Sequence, residues 1–137
     1  MILDKELQFS DSQAVTSTGS NASTNSVDMG HSGNWAAGKQ LYLHILVKET
    51  VTSGGAATVD FQLQGDDNSS FSSPANAITS GAIAKATLVE GHVISLPIPM
   101  QPAANIQRYN RVNYEVATAA LTGGKFSSWI SDQPQTN

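Results

Sequence analysis

The sequence predicts an all-β fold, specifically an antiparallel β-sandwich of the jelly-roll type. Apolar and polar residues alternate with a period of two over several short runs, as half-buried strands require. Turns rich in Gly, Ser, Asn and Asp separate these runs, and no segment has a clear helical period. Six to nine short strands without a covering helix are typical of a sandwich or a jelly roll.

The clearest strand signal covers residues 40–50. Its inward face carries four aliphatic residues, Leu41, Leu43, Ile45 and Val47. His44 lies on the opposite face, where we expect it to meet solvent. A second alternating run at 58–64 follows Gly54-Gly55, and two alternating runs around a short glycine turn predict a hairpin.

A polar turn and an ambiguous segment follow this predicted hairpin. Asp66-Asp67 opens a run of Asn and Ser residues, whose side chains hold turns by bonding to their own backbone. We expect Phe71, inside this run, to plug the loop onto the core. Residues 82–89 fit either a short helix or a strand.

Three further strands complete the second half of the chain. Residues 92–98 alternate and stop at Pro97 and Pro99. Residues 106–118 form the last long strand, with three residues toward the core, Val112, Tyr114 and Val116. Gly123-Gly124 then turns the chain, and residues 126–131 form a short closing strand.

The N-terminal third is more polar. Leu7 and Phe9 are compatible with a strand that extends to Val15. Residues 17–26 predict a Ser/Asn loop, Val27 and Met29 a short strand, and residues 30–38 a glycine loop that holds Trp35. We expect one domain over residues 1–137, with an N-terminal arm at about 1–12 and a polar tail at about 132–137.

The amino-acid composition excludes several classes of function. Charged residues are 13% of the chain, the net charge is −4, and the seven basic residues are scattered, so no stripe for a phosphate backbone is present. The chain has no cysteine, which excludes disulfides and thiolate chemistry. No apolar run is long enough to span a bilayer, and charges near the start predict that there is no export signal. We therefore expect neither nucleic acid nor a membrane as a partner.

Residues able to carry catalysis or bind a metal are sparse. His31, His44 and His92 are not spaced as ligands within one element. No Gly-x-Ser-x-Gly elbow occurs, and no glycine pair is followed by the Lys-Ser/Thr of a phosphate loop. Asp66-Asp67 is the one adjacent acidic pair, and an Asx turn explains it better than a calcium site. We expect no catalytic residue, no cofactor and no metal.

Three segments carry further information, Leu3–Val15 (LDKELQFSDSQAV), Leu63–Pro74 (LQGDDNSSFSSP) and Arg108–Val116 (RYNRVNYEV). Together they resemble the small capsid cement (decoration) proteins of short-tailed bacteriophages. The segments come in the family's order and at similar spacing, so the resemblance covers nearly the whole chain. Residues 17–26 and 30–38 depart from the family pattern.

The resemblance implies a jelly roll that straddles neighbouring major capsid subunits on the outer surface of the virion, after assembly in the host cytoplasm. It implies a homodimer, with a trimer left open, and a mechanical role without catalytic residues. A large aromatic residue in a loop and apolar residues beside prolines are typical of interaction surfaces. The predicted capsid contacts are Leu3, Leu7, Phe9, Trp35, Ile98 and Met100.

Two other functions stay open on the sequence. A carbohydrate-binding module on a sandwich fold would use Trp35, Tyr42 and Tyr109 as stacking platforms, and Asp66 or Asp67 would then hold calcium. A small enzyme is the third hypothesis, and a deep pocket with a histidine of shifted pKa would favour it.

Overall fold

A computed structural model describes residues 4–35, 37–101 and 107–132. In these residues the chain forms one 3₁₀ turn, at Lys5–Leu7, and ten strands. The strands are β1 (Gln8–Ala14), β2 (Gly19–Ala22), β3 (Val27–Gly33), β4 (Tyr42–Thr52), β5 (Thr58–Asp66), β6 (Ala75–Thr79), β7 (Ile83–Ala84), β8 (Val93–Pro97), β9 (Gln107–Ala117) and β10 (Gly123–Ser131). Among the described residues, no helix is long and apolar enough to cross a membrane.

The strands form two antiparallel sheets that pack face to face. The first sheet has the order β1-β10-β4-β8. The second has β9 and β5 at its centre, with β2 and β3 sharing the outer position beside β9, and β6 and β7 sharing the one beside β5. Of the nine connections between these strands, three stay within the second sheet, β2–β3, β5–β6 and β6–β7, and the other six cross from one sheet to the other. This double sheet with crossing connections is the predicted jelly roll.

The predicted hairpin around Gly54-Gly55 is wrong. β4 belongs to the first sheet and β5 to the second, so this turn carries the chain across the sandwich. The buried faces of the two strands oppose each other through the core instead of pairing side by side. Gly55 permits the crossing, because a Cβ atom there would lie 2.7 Å from the Cβ of Ala119.

The core lies between the two sheets. Leu43, Ile45 and Val47 from β4 are buried there, as are Val112, Tyr114 and Val116 from β9, which confirms the predicted inward faces. Three aromatic rings fill the centre with centroid distances of 5.2 to 5.8 Å, those of Phe61, Tyr114 and Phe126. Such packing adds to the stabilisation from area burial.

The N-terminal third is more regular than its composition predicts. β1 begins at Gln8 and pairs with β10, so the predicted arm at about 1–12 extends no further than the 3₁₀ turn. Residues 19–22, expected in a loop, form β2 against β9. Backbone pairing supplies these hydrogen bonds and needs no apolar side chain, which is why alternation did not reveal it. Most of the predicted tail lies outside the described residues.

Candidate interaction surface

One end of the sandwich gathers several connections, and we call it the loop pole. It comprises the 3₁₀ turn, the β3–β4 connection, the β5–β6 turn, residues 98–101 after β8, and Asp132 after β10. These segments meet because β1 and β4 begin where β8 and β10 end in the antiparallel first sheet. Loops held by a rigid sandwich are common places for binding residues.

Two open grooves on the loop pole share Leu7. The larger has a volume of about 380 Å³ and is lined by Glu6, Leu7, Ser26, Val27, Asp28, Met29 and Trp35. The second has a volume of about 230 Å³ and is lined by Asp4, Leu7, Leu41, Ile130, Ser131 and Asp132. Leu7 thus forms the ridge between them, half-buried against the core.

Two hydrogen bonds between Asn34 and Gln101 hold the neighbouring residues Trp35 and Met100 at the same pole. The side-chain amide of Asn34 donates to the backbone carbonyl oxygen of Gln101 at 3.0 Å, and its oxygen accepts from the Gln101 backbone N–H at 3.3 Å. Trp35 packs half-buried against the core, and its buried Nε1–H has no hydrogen-bond partner among the residues that the structure describes. Met100 is 65% exposed. Leu7, Trp35 and Met100 are therefore three predicted contact residues that the fold brings to one end.

The prediction that Phe9 and Ile98 contact the capsid is wrong, because both side chains are fully buried in the core. Phe9 lies on the inner face of β1, and the Ile98 backbone N–H donates to the Leu41 carbonyl oxygen at 2.9 Å, which draws that residue in beyond the end of β8. Leu3 lies outside the described residues.

The three predicted sugar platforms do not form one surface. Tyr42 lies on the outer face of the first sheet and stacks on His44, with ring centroids 6.1 Å apart. Tyr109 lies on the outer face of the second sheet, where the Arg108 guanidinium covers its ring at 5.0 Å. Trp35 is at the loop pole. Because each ring faces a different direction, they cannot stack on one glycan together.

The acidic pair holds a turn. The Asp66 carboxylate accepts the backbone N–H of Asp67 at 2.7 Å and that of Ser73 at 2.8 Å. The bond from Ser73 is the main reason that the pKa of Asp66 lies below its usual value. Among the described residues no group of three or more His, Asp or Glu residues is arranged to hold a metal. These bonds agree with the Asx-turn interpretation of the pair.

His44 is fully buried, so the expectation that it meets solvent is wrong. The alternation placed it correctly on the outer face of the first sheet, but Trp129, its register partner on β10, packs against it with centroids 5.6 Å apart. Its two ring nitrogens hydrogen-bond with Ser95 Oγ at 2.9 Å and Ser131 Oγ at 2.8 Å. Strands from distant parts of the chain bury a residue that local periodicity assigns to solvent.

Phe71 does not plug the core, contrary to its prediction. It is half-exposed with a positive φ of 51°, and the Arg111 guanidinium lies 4.5 Å from its ring centroid. The ring therefore packs beneath an arginine on the outer face of the second sheet. Sequence reasoning missed this pairing because the two residues are far apart along the chain.

The profile of the Bbp16 family matches residues 9–130. The chain belongs to the Bbp16 family. The match begins at Phe9 in β1 and ends at Ile130 in β10, so it spans the sandwich from its first core residue to its last. Trp35 and Met100 lie inside the matched span, whereas Leu7 lies just before it. The comparison with curated proteins returned no match.

Proposed function

We propose that this protein is a capsid cement protein that binds the outside of a phage head across neighbouring major capsid subunits and stabilises the expanded, DNA-filled shell. The observation that carries the proposal is membership of the Bbp16 family, whose name points to a phage protein, over residues 9–130, nearly the full extent of the sandwich. The resemblance of three sequence segments to cement proteins supports the same role.

The fold suits a mechanical task. Its two sheets pack on each other through a continuous core, and six of the connections between its strands cross from one sheet to the other, which ties the two sheets together. The grooves at the loop pole are open and bordered by half-buried apolar side chains. Open clefts of this kind fit the side chains of a protein surface.

Binding across a seam gains from repetition. A homodimer presents the same loop pole twice, and once one pole is bound, the second binding event becomes intramolecular. Modest affinity at each pole then gives high occupancy on a lattice of identical subunits. Bridging two subunits stabilises the shell, because separating them first requires the loss of one contact.

The test is co-sedimentation of the purified protein with undecorated heads of the cognate phage. We expect binding that saturates at a fixed ratio to the major capsid protein, and decorated heads that release DNA at a higher temperature than bare heads. Unexpanded proheads serve as the control, since the subunit seams differ before expansion. Absence of binding to expanded heads would contradict the proposal.

A further inference from the structure

Two arginines cover two aromatic rings on the outer face of the second sheet, close to the loop pole. The Arg108 Cζ lies 5.0 Å from the ring centroid of Tyr109, and the Arg111 Cζ lies 4.5 Å from that of Phe71. The two arginines differ in their counterions. Arg108 binds the Asp28 carboxylate through Nε at 2.7 Å and Nη2 at 3.0 Å, so its charge is already paired.

Arg111 has no carboxylate partner in the part of the chain that the structure describes. Its Nε donates to Gln64 Oε1 at 3.0 Å, and it forms no ion pair with any acidic group among the described residues, whereas Arg108, Lys39 and Lys125 each do. Asp66 acts on Arg111 only through its electrostatic field, because its carboxylate is bound to backbone N–H groups of the turn. Arg111 is half-buried, and partial burial lowers the pKa of its guanidinium. A partly desolvated cation without a counterion is unfavourable in isolation.

The Arg111 side chain is also held in place before any partner arrives. Gln64, which accepts its Nε–H, is 8% exposed and is itself fixed by donating to Asn76 Oδ1 at 3.1 Å. On the other side the guanidinium rests on Phe71, whose positive φ of 51° is unusual for an aromatic residue. Strained backbone persists where its surroundings fix it, and a fixed arginine loses little entropy when it binds.

We propose that Arg111 binds a carboxylate of the capsid partner, from an Asp or Glu side chain, with Phe71 and Tyr109 packing around that contact. This inference rests on the proposed function. The planar guanidinium matches a carboxylate and provides several N–H donors, and its Nη groups have no partner among the described residues. Arginine and aromatic residues together are typical of the energetic centre of an interface. A nucleic-acid phosphate fits less well, because the chain is acidic and its basic residues are scattered.

The experiment compares head binding by the wild-type protein, Arg111→Gln, Arg111→Lys and Lys48→Gln. Lys48 is exposed without an ion pair among the described residues, so its substitution removes the same charge from a different strand. We expect Arg111→Gln to weaken binding at least about tenfold and to reduce its salt dependence. Arg111→Lys keeps the charge but loses the fork, so it should restore only part of the affinity. Lys48→Gln should bind within about twofold of the wild type, as a single exposed charge changes affinity little.

The outcomes separate the two proposals. Failure of the wild-type protein to bind heads contradicts the cement function itself. If the wild-type protein binds heads and Arg111→Gln binds them with the same affinity and salt dependence, the role of Arg111 is overturned. The cement function then still stands. Phenylglyoxal labelling of the folded wild-type protein decides the case in which a variant misfolds. We expect Arg111 to be protected on heads, and equal labelling with and without heads would overturn the inference.

Discussion

The hydroxyl of Tyr114 joins the two sheets inside the core, and its removal tests the energetics of the sandwich. The group is fully buried and lies 2.8 Å from both Ser10 Oγ on β1 and Ser128 Oγ on β10. It donates to Ser10 and accepts from Ser128, while Ser10 in turn donates to Gln13 Oε1 at 2.7 Å. A chain of hydrogen bonds therefore crosses the core.

Tyr114→Phe keeps the ring and deletes the bridge. Ser10 retains its bond to Gln13, but Ser128 is left with a buried hydroxyl that loses its acceptor, which costs about 1–3 kcal/mol. With an unfolding entropy of about 2 cal/mol/K per residue, each kcal/mol lowers the Tm of a chain of this length by about 3–4 °C. We therefore expect a fall of about 4–10 °C, measured by circular dichroism, and a lower urea midpoint at an unchanged m-value.

A second substitution supplies the control. In Tyr114→Phe/Ser128→Ala both polar partners are gone, so no buried hydroxyl is orphaned and most of the lost stability should return. An unchanged Tm for Tyr114→Phe would refute the assignment of energy to this bridge. A double variant that loses the full sum of the two single effects would refute the account based on an orphaned hydroxyl.

Three further predictions concern pH, the acidic turn and the loop pole. Burial raises the pKa of Tyr114 to about 12, above its value of about 10 in the unfolded chain. The stability that this provides below pH 10 is therefore lost between pH 10 and 12, by about 3 kcal/mol. Urea titrations should show this loss in the wild type and a smaller one in Tyr114→Phe. The lowered pKa of Asp66 contributes stability that is lost as the pH falls below about 4, so Asp66→Asn should lower the Tm at pH 7 and flatten its acid dependence in calorimetry. Trp35→Ala should leave the circular dichroism spectrum unchanged but weaken head binding about tenfold or more. The control is Val89→Ser, which changes a 48% exposed apolar residue at the opposite end and should not weaken binding. If wild-type and Trp35→Ala protein, each at limiting concentration, occupy the heads equally, the contact is contradicted.

Local patterns in the sequence determined the long strands β4, β5 and β9 and their inward faces. Alternation assigns Val112, Tyr114 and Val116 to the core because successive side chains of a strand point to opposite sides, a rule that needs no knowledge of neighbours. The same reasoning favoured the Asx turn at Asp66, since Asx side chains bond to nearby backbone. The likeness to phage proteins also came from the sequence.

Only the tertiary structure decided which strands share a sheet and which outward residues meet solvent. The same alternation of apolar and polar residues results whether β4 and β5 pair in a hairpin or face each other across the core. The sequence pattern therefore could not distinguish a hairpin from the crossover at Gly54-Gly55. His44 is buried by Trp129, and Arg111 covers Phe71, through contacts between distant segments. A periodic pattern records the direction of each side chain from its own strand, whereas burial and pairing depend on what other strands bring to that side, and these long-range contacts form only when the sandwich closes.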